Sequence, residues 1–422
     1  MTSNLSLAEN SAMELFTKGE YLAAKRILET GPYYGATCYE GAKLWNAVTV
    51  ITRYQRISAA VEALSQDEIQ RFSRRARRIL GVFDLRTMPL SLGDVLIFNM
   101  VLMTIREIEQ VDKIDVVWMI DPQYVARWDQ GLSAENLWYY LKPFVPLIRI
   151  NPHLGEFHIF DDPDSAEDFI VSRAPFSAVC PLYVTPEDER IDYYLKFIPF
   201  LYDYAKRNGQ LPILTCRDDI RAAARRTLRE HVANAGQYPI AIHLRKSGYW
   251  TDRNYSEAAW KALFLHARQT HPQVRFLLIG ARFRGFPELE GLSNLLFTKD
   301  LGTGADDDMA LIQESAAYMS GNAGPLVMAK FGVSPYRIVN HNAANMPQQK
   351  KGEASFPWAR ENQKLIWEKE TEDILIREFE EMLAAIDLGD WARRLERSKE
   401  TDEEILSRRS PQFGVMTDFG VG

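Results

Sequence analysis

Four short segments carry residues whose types and spacing suit a phosphate-bearing ligand. The first is Ser320-Gly321-Asn322-Ala323-Gly324-Pro325, where small side chains let consecutive backbone N–H groups converge and Pro325 suits a first helical position. Such a turn at a helix start favours a diphosphate, and its plain alternative is a tight strand-to-helix connection. The second is His243-Leu244-Arg245-Lys246-Ser247. Alternation along a strand puts His243 and Arg245 on one face, where a guanidinium grips phosphate oxygens bidentately and holds the charge growing on a departing phosphate group. Lys246 adds a point charge; a buried arginine paired with a carboxylate is the structural alternative. The third is Ser91-Leu92-Gly93-Asp94. Glycine permits close backbone approach, and Asp94 falls in a first helical turn, either turned toward a ligand cleft or stabilising the helix dipole by about 0.5 kcal/mol. The fourth is Thr298 to Gly304, TKDLGTG, whose Lys299 and Asp300 are placed to edge a nucleoside. Asp306, Asp307 and Asp308 follow it, but three consecutive carboxylates on a helix cannot face one ion, and acidic residues suit a helix start. With no HExxH pair and no serine nucleophile elbow, no metal is expected.

The elements that must position these segments alternate between apolar runs and helical periodicity. ILGVFDLR from Ile79, the apolar helix VLIFNMVLMTIREIEQ and the run IDVVWMI (Ile114 to Ile120) read as a parallel βαβ unit. Weaker strand patterns lie at PLIRI, FHIF and PFSAVCPLYV, and QLPILTC is either a last strand of the first domain or a connector. From residue 238 the alternation is clearer: strands YPIAIHLR, VRFLLIG, NLLFTKD, AAYMS and PYRIV, with helices from Ser256, over 306–315 and over PLVMAKFG. Open parallel sheets with helices on both faces are expected, and ligands there bind beyond the carboxyl ends of the strands. The expected division is a helical region 1–78, Rossmann-like domains 79–236 and 237–360, a charged helix 361–397 and a tail 398–422. Residues 8–30 resemble one helix pair of a tetratricopeptide unit, read either as a cap on the next domain or as a docking repeat. The cluster Arg71, Arg74, Arg75, Arg77 and Arg78 reads as a solvated helix face.

Composition narrows the function classes. The 422 residues exceed one ordinary core, and 57 acidic against 50 basic residues give a net charge of −7, which disfavours a nucleic-acid partner. Three cysteines, Cys38, Cys180 and Cys216, form neither a disulfide framework nor a zinc site. The N-terminus lacks a secretory pattern and no run approaches roughly 18 apolar residues, so the expectation is a cytoplasmic protein with room for peripheral contact at a membrane face.

In this order the four segments resemble the GT-B class of glycosyltransferases, and most closely the bacterial ADP-heptose heptosyltransferase family. LRTMPLSLGDVLIFNMVLMTIREI, YPIAIHLRKS, NYSEAAWKALF, VRFLLIGA and LIQESAAYMSGNAGPLVMAKFGVSPY carry the likeness, about a third of the chain. The resemblance implies an α/β fold with two Rossmann-like domains facing across a cleft. It implies an inverting, metal-independent transfer of a sugar from a nucleoside diphosphate to a hydroxyl on a glycan, lipid-linked glycan or protein, with no cofactor. Carried over, it makes Asp94 the general base, with Ser91 and Gly93 in the acceptor loop, and the GNAGP start the diphosphate cradle; Arg245 or Lys246 would steady the leaving group. His243, Ser247, Lys299 and Asp300 complete the donor set. The family's histidine is missing, since Val327 and Met328 stand in the matching segment, and Asn322 and Ala323 replace its usual residues, so a heptose donor is not implied. The HLRK strand is also similar to that of GDP-fucose-using enzymes. Two other readings remain: a nucleotide-sugar epimerase or hydrolase of this fold, and a non-catalytic sugar-binding or scaffold protein.

Overall fold

The computed structural model describes residues 5–30, 39–73, 77–85, 88, 90–121, 135–181, 197–246, 251–280, 287–342 and 348–408. Cys38, Arg74, Arg75, Ser247 and the segment GVMTDFGVG lie outside them. The chain forms two compact units: Met1–Val145 with His153–Asn208, and Pro146–Pro152 with Gly209–Gly422.

The first unit begins with helices α1 (Leu7–Thr17), α2 (Tyr21–Thr30), α3 (Tyr39–Glu62) and α4 (Gln66–Ser73). Ser6 and Glu9 cap α1 reciprocally, and Gly19, at φ +77°, makes the turn into α2. Ala12, Ala24, Leu28, Leu44 and Trp45 bury this helix pair against α3, so it packs as a cap rather than stacking on a second repeat. β1 (Arg78–Asp84), α5 (Leu92–Glu109), β2 (Lys113–Met119), α6 (Leu137–Leu141), α7 (Val145–Arg149), β3 (Leu154–Phe160), α8 (Pro163–Ser172), β4 (Ala178–Cys180) and α9 (Phe197–Asn208) follow. The four strands make a parallel sheet in the order β3-β2-β1-β4. α5 lies close on β1: a Cβ at Gly81 would come within 2.8 Å of Leu102 and 2.9 Å of Phe98. α3 is pinned to the same sheet by a buried charge cluster. Arg53 Nη2 lies 2.7 Å from Glu167 Oε1 on α8 and 3.7 Å from Asp84 Oδ2 at the end of β1. Residues 39–62 therefore belong to this unit's core, not to a separate helical region.

The second unit holds α10 (Asp218–His231), β5 (Tyr238–His243), α11 (Glu257–Thr270), β6 (Val274–Leu278), β7 (Leu295–Phe297), α12 (Ala305–Glu314), β8 (Ala317–Ser320), α13 (Leu326–Lys330), β9 (Tyr336–Ile338) and β10 (Gln363–Leu365). It ends with α14 (Glu372–Ala385), α15 (Leu388–Arg397) and α16 (Lys399–Ser407). All strand pairs are parallel, in the order β10-β9-β8-β5-β6-β7. Counted from this unit's own first strand, that is the doubly wound order 3-2-1-4-5-6, with its switch point between β5 and β8. The core is aromatic: Trp260 and Phe264 of α11, Phe276 of β6 and Phe379 of α14 are all fully buried.

Several sequence expectations differ from the structure. PLIRI is part of the short helix α7, not a strand; of the two readings of QLPILTC the structure has the connector, in which Leu214 donates its N–H to Phe331 O. Residues 361–397 form a strand and two helices rather than one helix. Residues 399–407, expected as tail, are helical because Asp402, with no exposed surface, accepts from Arg225 Nε at 3.0 Å and Arg229 Nη2 at 2.8 Å. α10, assigned by sequence to the first domain, lies in the second unit.

Candidate functional site

The switch point of the second unit is where the sheet opens. His243, the last residue of β5, stands in register with Ser320, the last residue of β8, and Ser320 with Ile338, the last of β9. The chain leaving each strand there converges on one place.

After β8 the turn Gly321–Gly324 runs into α13. Ala323, Gly324 and Pro325 carbonyls accept from the N–H groups of Leu326, Val327 and Met328 at 3.1–3.2 Å. The N–H groups of Gly321, Asn322, Ala323 and Gly324 donate to no main-chain carbonyl among the described residues. α13 has only five residues, so the anion-binding capacity lies in this run of amides and not in a long helix dipole. Ser320 is fully buried and turns its hydroxyl onto Gly321 O at 2.7 Å, which removes its side chain from ligand contact.

The loop after β5 folds back over that turn. Arg253, half-buried, donates from Nε (3.1 Å) and Nη2 (2.6 Å) to Asn322 O. Burial lowers its pKa against the opposing pull of Asp252. Asn322 Nδ2 in turn donates to Asn342 O at 3.1 Å, and Asn340 Nδ2 to Asp252 O at 3.3 Å, so the segments after β5, β8 and β9 are stitched together. Arg245 donates to Asn254 Oδ1 at 2.8 Å and its carbonyl accepts from Tyr255 N, which closes the loop; Lys246 is exposed. Arg253 was not singled out in the sequence, where it is one cation in KSGYWTDRNY. Its position is set by a carbonyl 69 residues away, which no local pattern encodes.

His243 is held neutral: burial and then the Arg245 charge push its pKa down to about 4. Its Nδ1 has no hydrogen-bond partner among the described residues. Gly280, at φ +102°, leaves room for the ring; a Cβ there would stand 3.1 Å from His243 Cδ2.

On the β6–β7 side the expected nucleoside edge has an internal occupation. Lys299 Nζ pairs with Asp308 Oδ2 at 2.7 Å and donates to Thr303 O at 2.7 Å. Asp308 is buried and also accepts from Thr298 Oγ1 (3.0 Å), Thr303 Oγ1 (2.9 Å) and Gly280 N (3.2 Å); burial raises its pKa although Lys299 opposes the rise. Asp307 accepts from Gly304 N at 2.8 Å as a helix-start cap. Asp300 remains exposed on the turn Thr298–Leu301.

Beneath the turn, α13 carries a buried lysine. Lys330 is 3% exposed, with Nζ 4.2 Å from the Phe356 ring centroid, 5.0 Å from Phe331 and 5.3 Å from Trp358. Burial pushes its pKa down to about 7.

In the first unit, Ser91 caps α5: Asp94 N donates to Ser91 Oγ at 3.3 Å, and Ser91 Oγ donates to Asp94 Oδ2 at 2.6 Å. The carboxylate is half-buried and held in one orientation by the hydroxyl, and Gly93 beside it is buried. Among the described residues no group of three metal-ligating side chains assembles, and no helix is long and apolar enough to cross a membrane.

No family model and no curated protein matches the chain. Among solved structures it is similar to a glycosyl transferase family 9 protein from Veillonella parvula (14% identity, 78% of this chain and 97% of that one, TM-score 0.43). It is also similar to E. coli ADP-heptose LPS heptosyltransferase II (10% identity, 73% and 98%, TM-score 0.45) and to E. coli heptosyltransferase WaaC with ADP (15%, 72% and 99%, TM-score 0.36). At these identities and scores the chemistry has to be argued from the residues.

Proposed function

We propose that the chain is a glycosyltransferase that takes a sugar from a nucleoside diphosphate and transfers it, with inversion, to a hydroxyl acceptor. The observation that carries this reading is the turn Gly321–Gly324 at the switch point, where four successive N–H groups have no main-chain partner among the described residues and Arg253 is drawn against Asn322 O. A nucleoside diphosphate presents the oxygens such a turn recognises, and a doubly wound sheet binds its nucleotide at the switch point.

In this reading the bond from the anomeric carbon to the diphosphate breaks as the acceptor oxygen attacks from the opposite face. The leaving diphosphate keeps the electron pair, and its charge is met by the turn amides and by Arg253 or Arg245, so no divalent ion is required. Asp94 takes the acceptor proton. The Ser91 hydroxyl donates to Oδ2 and holds the carboxylate for that transfer. Neutral His243 faces the same strand ends as a hydrogen-bonding rather than a charged group.

Thermal-shift titration with ADP, GDP, UDP and CMP tests the reading first, because a ligand bound only by the folded state raises the melting temperature. One diphosphate is expected to stabilise the protein. Nucleotide-sugar breakdown that needs no acceptor would point instead to a hydrolase or epimerase, and no stabilisation by any of the four would sink the nucleotide site.

A further inference from the structure

A carboxylate that no part of the mechanism uses sits against the same turn. Glu370 follows β10, and its Oε2 accepts both from Ser256 N (2.7 Å), the residue that opens α11, and from the indole Nε1 of Trp260 (3.0 Å) one turn further on. Its other oxygen, Oε1, lies so close to Gly321 that a Cβ there would be 2.9 Å away. One side chain therefore spans from the start of α11 to the first residue of the amide turn, and Arg253 stands three residues before the N–H it holds.

We propose that Glu370 is a positioning residue for the donor site. It fixes the start of α11, and with it the approach of Arg253, against a turn whose first residue, Gly321, leaves room for the carboxylate as it stands. Burial raises the pKa of Glu370, opposed by the bonds from Ser256 and Trp260, so the group costs free energy where it stands. A residue held at a cost beside a turn of open amides serves the geometry of that turn. This inference rests on the reading of the turn as a diphosphate site.

Two linked measurements test it. The contact is read from melting temperatures of Gly321→Ala, Glu370→Ala and the double variant. Because the methyl group of the first collides with the carboxylate removed by the second, the fall in Tm caused by Gly321→Ala should be at least halved in the Glu370→Ala background. Additive shifts would overturn the contact. The positioning role is read by calorimetric titration with ADP, GDP and UDP. Glu370→Ala should weaken whichever diphosphate the wild type binds by roughly tenfold, since two donors lose their acceptor and the loop loosens. Glu370→Gln, whose amide oxygen can accept both bonds, should stay within about threefold. Unchanged affinity in the alanine variant overturns the proposal while leaving the donor site standing. A wild type that binds none of the three removes the donor site, and the proposal with it.

Discussion

Replacing Lys330 by methionine should change how stability depends on pH, and the size of the change can be worked from the structure. The ammonium is buried under Phe331, Phe356 and Trp358, and its pKa falls from 10.5 to about 7. Between those values the unfolded chain holds a proton that the folded chain has lost, so stability rises with pH, by about 1.4 kcal/mol per unit in the middle of the window. Below pH 7 the penalty of charging the buried group is fully present; above 10.5 it is gone. From pH 7, where the folded lysine is half protonated, to pH 9 the gain is about 2 kcal/mol. For a unit of this size that corresponds to a Tm change of roughly 4–8 °C. Methionine fills a similar volume without a titrating group, so Lys330→Met lacks this component. Melting followed by circular dichroism from pH 6 to 9.5 should show the gap between variant and wild type narrowing by that amount toward the alkaline end. Parallel curves would mean that the lysine keeps its ordinary pKa in the fold, and would refute the argument.

Asp94→Asn should lower turnover by two orders of magnitude or more while diphosphate binding, measured by titration, is unchanged, since a general base contributes about 10²–10⁴-fold. Arg253→Ala should weaken diphosphate affinity roughly 10–100-fold, as expected for losing charge-assisted bonds, whereas Lys299→Ala should act chiefly on stability by stranding Asp308; calorimetry and melting separate the two. His243 has its pKa lowered to about 4, so the unfolded chain takes up a proton first as pH drops below 6.5. Stability present at neutral pH should decline between 6.5 and 4, by on the order of 2 kcal/mol after discounting for the residue's partial exposure, and His243→Gln should lose that decline in acid denaturation curves.

The second unit was legible because its strands are buried on both faces. IAI, FLL and YM are continuous apolar runs, and each is followed by a glycine, a polar turn or a helix start, which is how parallel strands read. The same signal misled at PLIRI, where a short apolar run is a helical turn: burial of Leu147 and Ile148 is satisfied by either geometry, and periodicity cannot choose over five residues. Residues 361–397 carry enough charge at helical spacing to mask the three-residue strand β10, which its parallel partner β9 specifies. Within the site, the small-residue turn and the strand-end His243 could be read locally. The consumption of Lys299 by Asp308 could not, nor could the placement of Arg253 and Glu370, because each depends on a partner brought near only by the sheet.

The chain passes from one compact unit to the other three times, lending Pro146–Pro152 to the second unit before the first is finished. Leu147, Ile148 and Ile150 in that loan are fully buried, and Ile150 O accepts from Arg217 N at 2.8 Å. A single cut after Asn208 therefore leaves the second unit without a buried piece of its own core. On the ribosome this early piece emerges well before the residues that will enclose it, so the second unit can complete its core only after the chain beyond Gly209 has been made.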